Sequence, residues 1–362
     1  MGVSQLLARY AVRRAHVLVV DVSGRWSWRV ALERQVIARG WRLAESPADA
    51  DVLVVCGEPG PELGELVDRV WDQLPGPRVR LGLPDMQALE GALDAVAVEL
   101  ADTASHREDA RQRSAAPDEG AGGMGGMDMD MGDMAPHGIP LAEGGEDRDG
   151  LEMDVLHLPL GPVLRHWPAG LVLRCALQGD VVVGAQVSLL DGGRQTTDAA
   201  SAHADVRGDH EARLVDHACA VLSLAGWPEA AATARRVRDA LLDDGPRDET
   251  RRALERLRRK VARARLLRWS LRGVSEIGAK TPAGQQFPQH MAGDVHDRLV
   301  HMLDRALDGG LPEPGPEAAA LVDALPDLVT GLELAAVRLL VASLALDPTP
   351  TREQAAQWLS PR

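Results

Sequence analysis

Aromatic side chains are scarce in this chain: 362 residues include one Tyr, Tyr10, and one Phe, Phe287, beside eight Trp. Chemistry that needs a phenol therefore has only Tyr10 to draw on. Thiols are also few. Cys56, Cys175 and Cys219 lie far apart and form no CxxC pair, which argues against a disulfide framework and against a cluster held by cysteine alone. A basic surplus is missing as well. The formal net charge of -14 argues against a nucleic-acid binder, since no overall basic surplus is available to neutralise phosphates and the local basic runs sit on a helix. Long hydrophobic runs are absent. The longest apolar runs, such as residues 17–20 and 339–346, fall far below the roughly 20 residues that cross a bilayer. Arg13 and Arg14 have no apolar core with a cleavage site behind them, so no secretory signal is expected. The expected location is cytoplasmic, with peripheral association at the inner face of a membrane as the variant reading. Finally, there is no GxSxG elbow and no Cys beside a suitable base, which argues against hydrolase chemistry.

What is present reads as several domains, because a chain of this length is more than one core requires. The runs AHVLVV (15–20) and DVLVVC (51–56) are nearly continuous apolar stretches of the kind buried in parallel sheets, and residues 28–39 between them carry helical spacing. Strand, helix, strand predicts a parallel α/β domain over residues 1–102, completed by helices at 61–74 and 86–100 and an apolar run at 79–83. Residues 103–150 are rich in Gly, Asp, Met and Glu and hold too little apolar surface to offset their ordering entropy. They are expected to be a flexible, disordered linker. Strand patterning returns in 151–200, with a hairpin turn at Gln178-Gly179-Asp180, and predicts a small antiparallel sheet. From 201 to 362 the chain reads as helical, with segments at 211–226, 228–244, 247–274, 291–308 and 316–324; residues 337–346 fit a final helix or strand. The second half is thus an α+β domain with a helical bundle. Within it, Leu254, Leu257, Val261 and Leu266 form the apolar stripe of an otherwise charged helix.

Several groups invite a chemical reading. Met124, Met127, Met129, Met131 and Met134 are interleaved with Asp128, Asp130 and Asp133 and followed by His137. Thioethers are soft donors that select Cu(I), and an imidazole adds a nitrogen, so copper is one reading. A low-complexity tether, or a Met-rich contact that adapts to a partner, are the others. His203, Asp205, Asp209, His210, Asp216 and His217 are close in sequence and resemble a ligand set, yet Asp at a helix start is also an ordinary cap. His290, His296 and His301 surround another helix start; His296 and His301 are five apart and fall on different faces. Gly24 follows a strand and precedes a helix, a place where amides can meet an anion. With no GxGxxG and no P-loop Lys, an ordinary turn is expected there.

Three segments, in order, resemble the quinone-binding large subunit of respiratory complex I, which is related to nickel-iron hydrogenases. GPVLRHWPAGLVLR (161–174) with LQGDVVV (177–183) is similar to that family's first hairpin. AVLSLAG (220–226), Pro228 and ARRVR (234–238) are similar to its AVEKLLGxxxPxRAxxIR segment, and LLRWSLRGVSEIGAKTP (266–282) to its LLWLxxxxxDIGAxTP segment. ADADVLVVCG (48–57) and LPGPRVRLG (74–82) resemble the small subunit that carries complex I's terminal iron–sulfur cluster. The resemblance implies a fusion of two partner subunits.

It also implies functional residues that this chain lacks. The family's hairpin presents a His to the quinone head group, and a Tyr completes the site. Here His166, beside Arg165, is shifted within the loop, and no Tyr follows Tyr10. The small subunit holds its cluster with four thiolates, including a tandem pair. The corresponding loop, residues 21–28, reads DVSGRWSW, and Cys56 stands where the family has a small residue, as a buried strand cysteine would. The expectation is a non-catalytic structural or regulatory subunit without cluster or nickel-iron centre, which docks onto other subunits of a respiratory or hydrogenase-like complex and reaches a membrane only through them. The alternatives are a redox subunit that retains quinone or metal binding through substitute ligands, His166 foremost, or a Cu(I) protein using the Met segment.

Overall fold

The computed structural model describes residues 10–115, 143–146, 152–190, 206–243, 246–278, 289–309 and 318–346. The chain divides into two compact units, residues 1–165 with 189–194, and residues 166–188 with 195–362.

The first unit is built on a parallel sheet of order β2-β1-β3-β4, formed by β1 His16–Asp21, β2 Arg42–Leu43, β3 Val52–Cys56 and β4 Val79–Leu83. Every residue of β3 is buried, as expected of a central strand covered on both faces. Alternation along the strands decides which helix each side chain meets. Val17, Val52, Val54 and Cys56 pack with Leu32 and Val36 of α1 (Trp26–Ala38) and with Leu93 and Val96 of α3 (Leu89–Leu100). Their neighbours Leu18, Val20, Leu53 and Val55 face the other way, onto Leu63 and Val67 of α2 (Pro61–Gln73). The predicted α/β domain is therefore present; the two-residue β2 was too short to give a sequence signal.

The linker reading fails at both ends of its range. Thr103–Ala115 is a helix, α4, begun by Asp102, whose Oδ1 accepts from the amides of Ala104 (3.0 Å) and Ser105 (3.3 Å). It is tied back to the unit by Arg78, which reaches Asp109 at 3.4 Å. Averaging composition over the whole linker hid this capped, Ala-, Arg- and Glu-containing run. Further on, Glu143–Glu146 is a strand, β5, pairing antiparallel with β6 (Glu152–Leu160) from Glu143↔Val155 to Glu146↔Glu152. The copper candidates Met124, Met127, Met129, Met131, Met134 and His137 lie outside the described residues.

In the second unit, β7 (Leu171–Gln178) and β8 (Val181–Leu189) are hydrogen-bonded neighbours joined through Gly179, whose φ of 64° is the left-handed turn that glycine permits. Val182 exchanges backbone hydrogen bonds with residues 331 and 332, which fastens the hairpin to the helices.

Those helices are α5 Val206–Leu224, α6 Pro228–Leu242, α7 Arg247–Arg263, α8 Arg265–Leu271, α9 Val295–Asp308, α10 Ala318–Val329 and α11 Leu334–Ser343. Their common core contains Leu214, Ala218 and Leu222 of α5, Ala231 and Ala234 of α6, Leu257 and Val261 of α7, and Leu299 and Leu303 of α9. A buried ion pair also links α5 to α6: Arg238 Nη1 donates to Asp216 at 2.6 Å.

The single helix expected over 247–274 breaks at Ala264, whose ψ of 95° is extended. The break shifts the helical phase. Leu267 and Leu271 turn inward, whereas Leu266, predicted to continue the apolar stripe, is 75% exposed.

Candidate functional site

The first unit offers one obvious location for a ligand. In an open parallel sheet, ligands sit outside the carboxyl ends of the strands where the order reverses, which here lies between β1 and β3. The loops at that position are residues 22–25 and 57–60, and the first is the one expected to lack cluster thiolates. The protein's own side chains crowd it. Arg25 stacks over the Trp28 ring at 4.3 Å, and a Cβ added to Gly57 (φ 106°) would stand 3.1 Å from Arg25 Cγ and 3.3 Å from Val22 Cβ. Arg29 bridges Asp21 (3.1 Å) and Glu33 (2.8 Å) alongside. The glycine at 57 is needed for this close approach, not to cradle a phosphate. Gly24 (φ 81°) sits in an ordinary turn, as predicted.

All three cysteines are buried and free. Burial, reinforced by Asp21, pushes the Cys56 thiol well above its usual range, and burial raises Cys175 to about 11. Neither Cys56 nor Cys175 is poised as a thiolate nucleophile.

The quinone-site candidates are adjacent in sequence but have different surroundings. Arg165, the last residue of the first unit, donates to the Glu45 carboxylate and to the Leu43 carbonyl (3.4 Å). His166 opens the second unit with a left-handed φ of 62°, uncommon for a non-glycine residue, and Trp167 beside it donates from its indole to the Leu171 carbonyl at 2.9 Å.

The second unit holds a cavity of about 280 Å³ between α5, α9 and the end of α11. α5 lines it with His210, Arg213, Leu214 and His217, and α9 with Arg298, His301, Met302 and Arg305. Both sets have the spacing i, i+3, i+4, i+7, which places four side chains on one helix face. Two amphipathic stripes, each with three basic positions and one apolar, thus face a common space. His290 and Met291 close one side, and Ser343, Leu344 and Ala345 another.

The deepest charge is Arg298, whose side chain is almost fully enclosed. Its three nitrogens donate to Ser343 Oγ (2.8 Å), Gly293 O (2.7 Å) and Ser275 O (3.0 Å), all neutral acceptors. Burial lowers its pKa to about 10 despite the fields of Asp294 and Asp297. Burial, then Arg305 and Arg213, lowers that of His210. Two acids next to lining positions in sequence are paired with arginines outside the lining: Asp216 with Arg238, and Asp304 with Arg258 at 2.7 Å. No carboxylate lines the cavity among the described residues.

The two histidine groups singled out in the sequence are therefore partly one group. His210 and His217 meet His290 and His301, while His296 is buried and does not line the cavity, as the five-residue offset implies. Asp216 belongs to the ion pair; His203 and Asp205 lie outside the described residues, and Asp209 is placed only as a turn of α5. Sequence reasoning missed Arg213, Arg298 and Arg305. The signal was available in the matching basic periodicity of residues 210–217 and 298–305.

A second cluster, Asp294, His296 and Asp297, brings ligand atoms within 4.8 Å of one another. Its carboxylates already serve the helix. Asp294 accepts from the Asp297 amide (2.9 Å) and Asp297 from the Asp294 amide (3.4 Å), a reciprocal cap at the start of α9. The positive end of the helix dipole also opposes a cation there.

No protein-family model matches the chain, and no curated protein matches it.

Proposed function

We propose that the protein is a non-catalytic subunit related to the cluster-bearing and quinone-binding subunits of complex I and hydrogenases, and that it acts by docking onto an acidic partner protein in a redox complex. The observation that carries this reading is the surface of α8, where Leu266 is 75% and Trp269 77% exposed. Three residues apart, they share one face of the helix. Large apolar side chains left in water at adjacent positions are the composition of an interface centre, and Trp leads the residues that dominate binding energy.

The surrounding charge indicates the partner's chemistry. Residues 251–272 contain ten Arg or Lys and one acid, Glu255, a local balance of +9 (10 − 1) in a chain whose total is −14. Arg256, Arg259, Lys260 and Arg263 border an open groove that ends at Ala264, and Arg265, Arg268 and Arg272 are exposed around Trp269. An apolar knob ringed by arginines complements an apolar pocket with an acidic rim. Among the described residues no helix is long and apolar enough to cross a membrane. The crowding of Arg25 at the β1–β3 crevice supports the non-catalytic half of the reading.

The test is affinity capture with the full chain, followed by identification and reconstitution of the captured protein. Trp269→Ala and Leu266→Ala together are expected to weaken that interaction by about 2–4 kcal/mol while leaving folding stability within about 0.5 kcal/mol. Binding unchanged by the double variant would overturn the docking surface. Binding to anionic vesicles in place of any protein would move the reading to a lipid surface. Stoichiometric iron, nickel or quinone in anaerobically purified protein would restore the redox-subunit alternative.

A further inference from the structure

We propose that the groove along α7 binds an acidic amphipathic helix of the partner, one whose carboxylates recur at i, i+3, i+4 and i+7. The inference rests on the docking reading and deepens it, since the groove leads to the α8 face already described.

Three observations lead to it. The first is spacing. Arg256, Arg259, Lys260 and Arg263 line the groove and are all exposed. They stand at i, i+3, i+4 and i+7, one face of α7, while the face formed by Leu254, Leu257 and Val261 is buried. The second is how the helix uses its charges. On another face, bases have acids within the protein: Arg251 pairs with Glu255 at 3.5 Å and Arg258 with Asp304 at 2.7 Å. The four groove bases make no ion pair among the described residues. Arg259 donates to its own helix at the Glu255 carbonyl (3.3 Å), and Lys260 lies over the Trp227 ring at 4.9 Å. Like charges three and four residues apart destabilise a helix, a cost that an acidic stripe supplied from outside removes. The third is shape. The space beside these bases, about 510 Å³, is open, and half-buried Trp227 supplies its apolar wall. An open groove cannot enclose a small ligand as a pocket does, but it can take an elongated one.

Pitch selects a helix over an extended chain. Two helices lying side by side share a pitch of about 5.4 Å, so each turn of cations meets a turn of anions. Side chains on one face of an extended chain recur about every 6.6 Å and fall out of step with α7 by about 1.2 Å per turn. The groove ends at Ala264, and Leu266 and Trp269 are exposed just beyond it. The apolar pocket that takes those two side chains therefore lies at one end of the partner's helix.

The test is fluorescence anisotropy of two labelled synthetic peptides of identical Glu, Ala, Gln and Leu composition, titrated with the full chain. In one the glutamates stand at i, i+3, i+4 and i+7 with leucines one turn beyond; in the other the order is shuffled so that they fall on every face. The first is expected to bind saturably, at least tenfold tighter than the second, with a gain of helical circular dichroism. The triple variant Arg256→Gln, Arg259→Gln, Arg263→Gln is expected to weaken it about tenfold or more. If that variant impairs folding, Arg256→Gln alone replaces it and must still weaken binding. Equal binding of the two peptides, or binding that survives these variants, would overturn the proposal. So would displacement of the peptide by phosphatidylserine vesicles but not by the captured partner, or a dimer of the chain that the triple variant dissolves. The captured partner separates this failure from that of the docking reading: capture lost with Leu266→Ala and Trp269→Ala but kept by the triple variant would leave α8 docking in place and strike only the groove.

Discussion

Replacing Asp216 with Asn is the most direct test of how α5 is held, and α5 supplies half of the cationic stripe. Arg238 of α6 is 1% exposed at its side chain and donates from Nη1 to Asp216 Oδ1 at 2.6 Å, with Asp216 itself 11% exposed. The same guanidinium reaches Asp239 at 2.8 and 3.0 Å, and that carboxylate is 23% exposed. Asn keeps the shape of Asp216 and removes its charge, so a buried cation loses its less solvated carboxylate and keeps the more solvated Asp239. Removing one member of a buried pair costs about 3–5 kcal/mol, and the retained Asp239 places this case near the lower figure, about 3 kcal/mol. That is a large part of the roughly 5–15 kcal/mol that holds a domain together. Urea unfolding followed by far-ultraviolet circular dichroism should show the midpoint falling while the slope is preserved. A loss below about 1 kcal/mol would refute the reasoning, because that is the range of exposed pairs. The double variant Asp216→Leu with Arg238→Met carries a second expectation: with both charges gone the desolvation cost disappears, and stability should return to within about 1 kcal/mol of the parent.

Other expectations follow from single residues. Because all three cysteines are buried and burial raises the Cys56 and Cys175 pKa values, a thiol reagent at pH 8 should label none of them in the native protein and all three in denaturant; rapid native labelling would contradict their placement. Burial, Arg305 and Arg213 lower the pKa of His210, so the unfolded chain takes up a proton there before the folded one does. Stability from this residue is present above the unfolded-state value, about 6.5, and is lost as pH falls below it. His210→Gln should therefore flatten the decline in melting temperature between pH 7.5 and 5.0, and an unchanged decline would count against it. Ala345 adopts a left-handed φ of 51° just after α11, where glycine is the usual residue, so Ala345→Gly should stabilise the fold by up to about 1 kcal/mol in thermal unfolding. A destabilised variant would mean that the methyl group's packing outweighs the strain.

Much of the fold was legible locally. The apolar runs at 15–20 and 51–56 had to be covered on both faces, and the structure covers them with α1 and α3 on one side and α2 on the other. The hairpin at Gly179 and the helices at 228–244 and 291–308 were marked by turn chemistry and periodicity. Composition misled where it was averaged, which is why α4 was missed within a glycine-rich stretch although Asp102 announced its start. Periodicity misled around Ala264, where one extended residue changed the phase and turned Leu267 and Leu271 to the core, while Leu266, five residues after Val261, stands off the stripe and is exposed. The candidate site was legible only in parts. His210 and His217 were visible as one group and His290 and His301 as another, but nothing in either segment says that they face each other.

The sequence by itself determined most element types outside residues 103–150, the absence of thiolates in the loop after β1 and the uneven placement of charge, since these depend on neighbours along the chain. Only the tertiary structure decided which basic residues share a cavity, which acids are taken up by Arg238 and Arg258, and which face of α8 meets water. Those outcomes depend on how helices separated by many residues rotate against one another, and that rotation is set by packing of the whole unit rather than by any one segment.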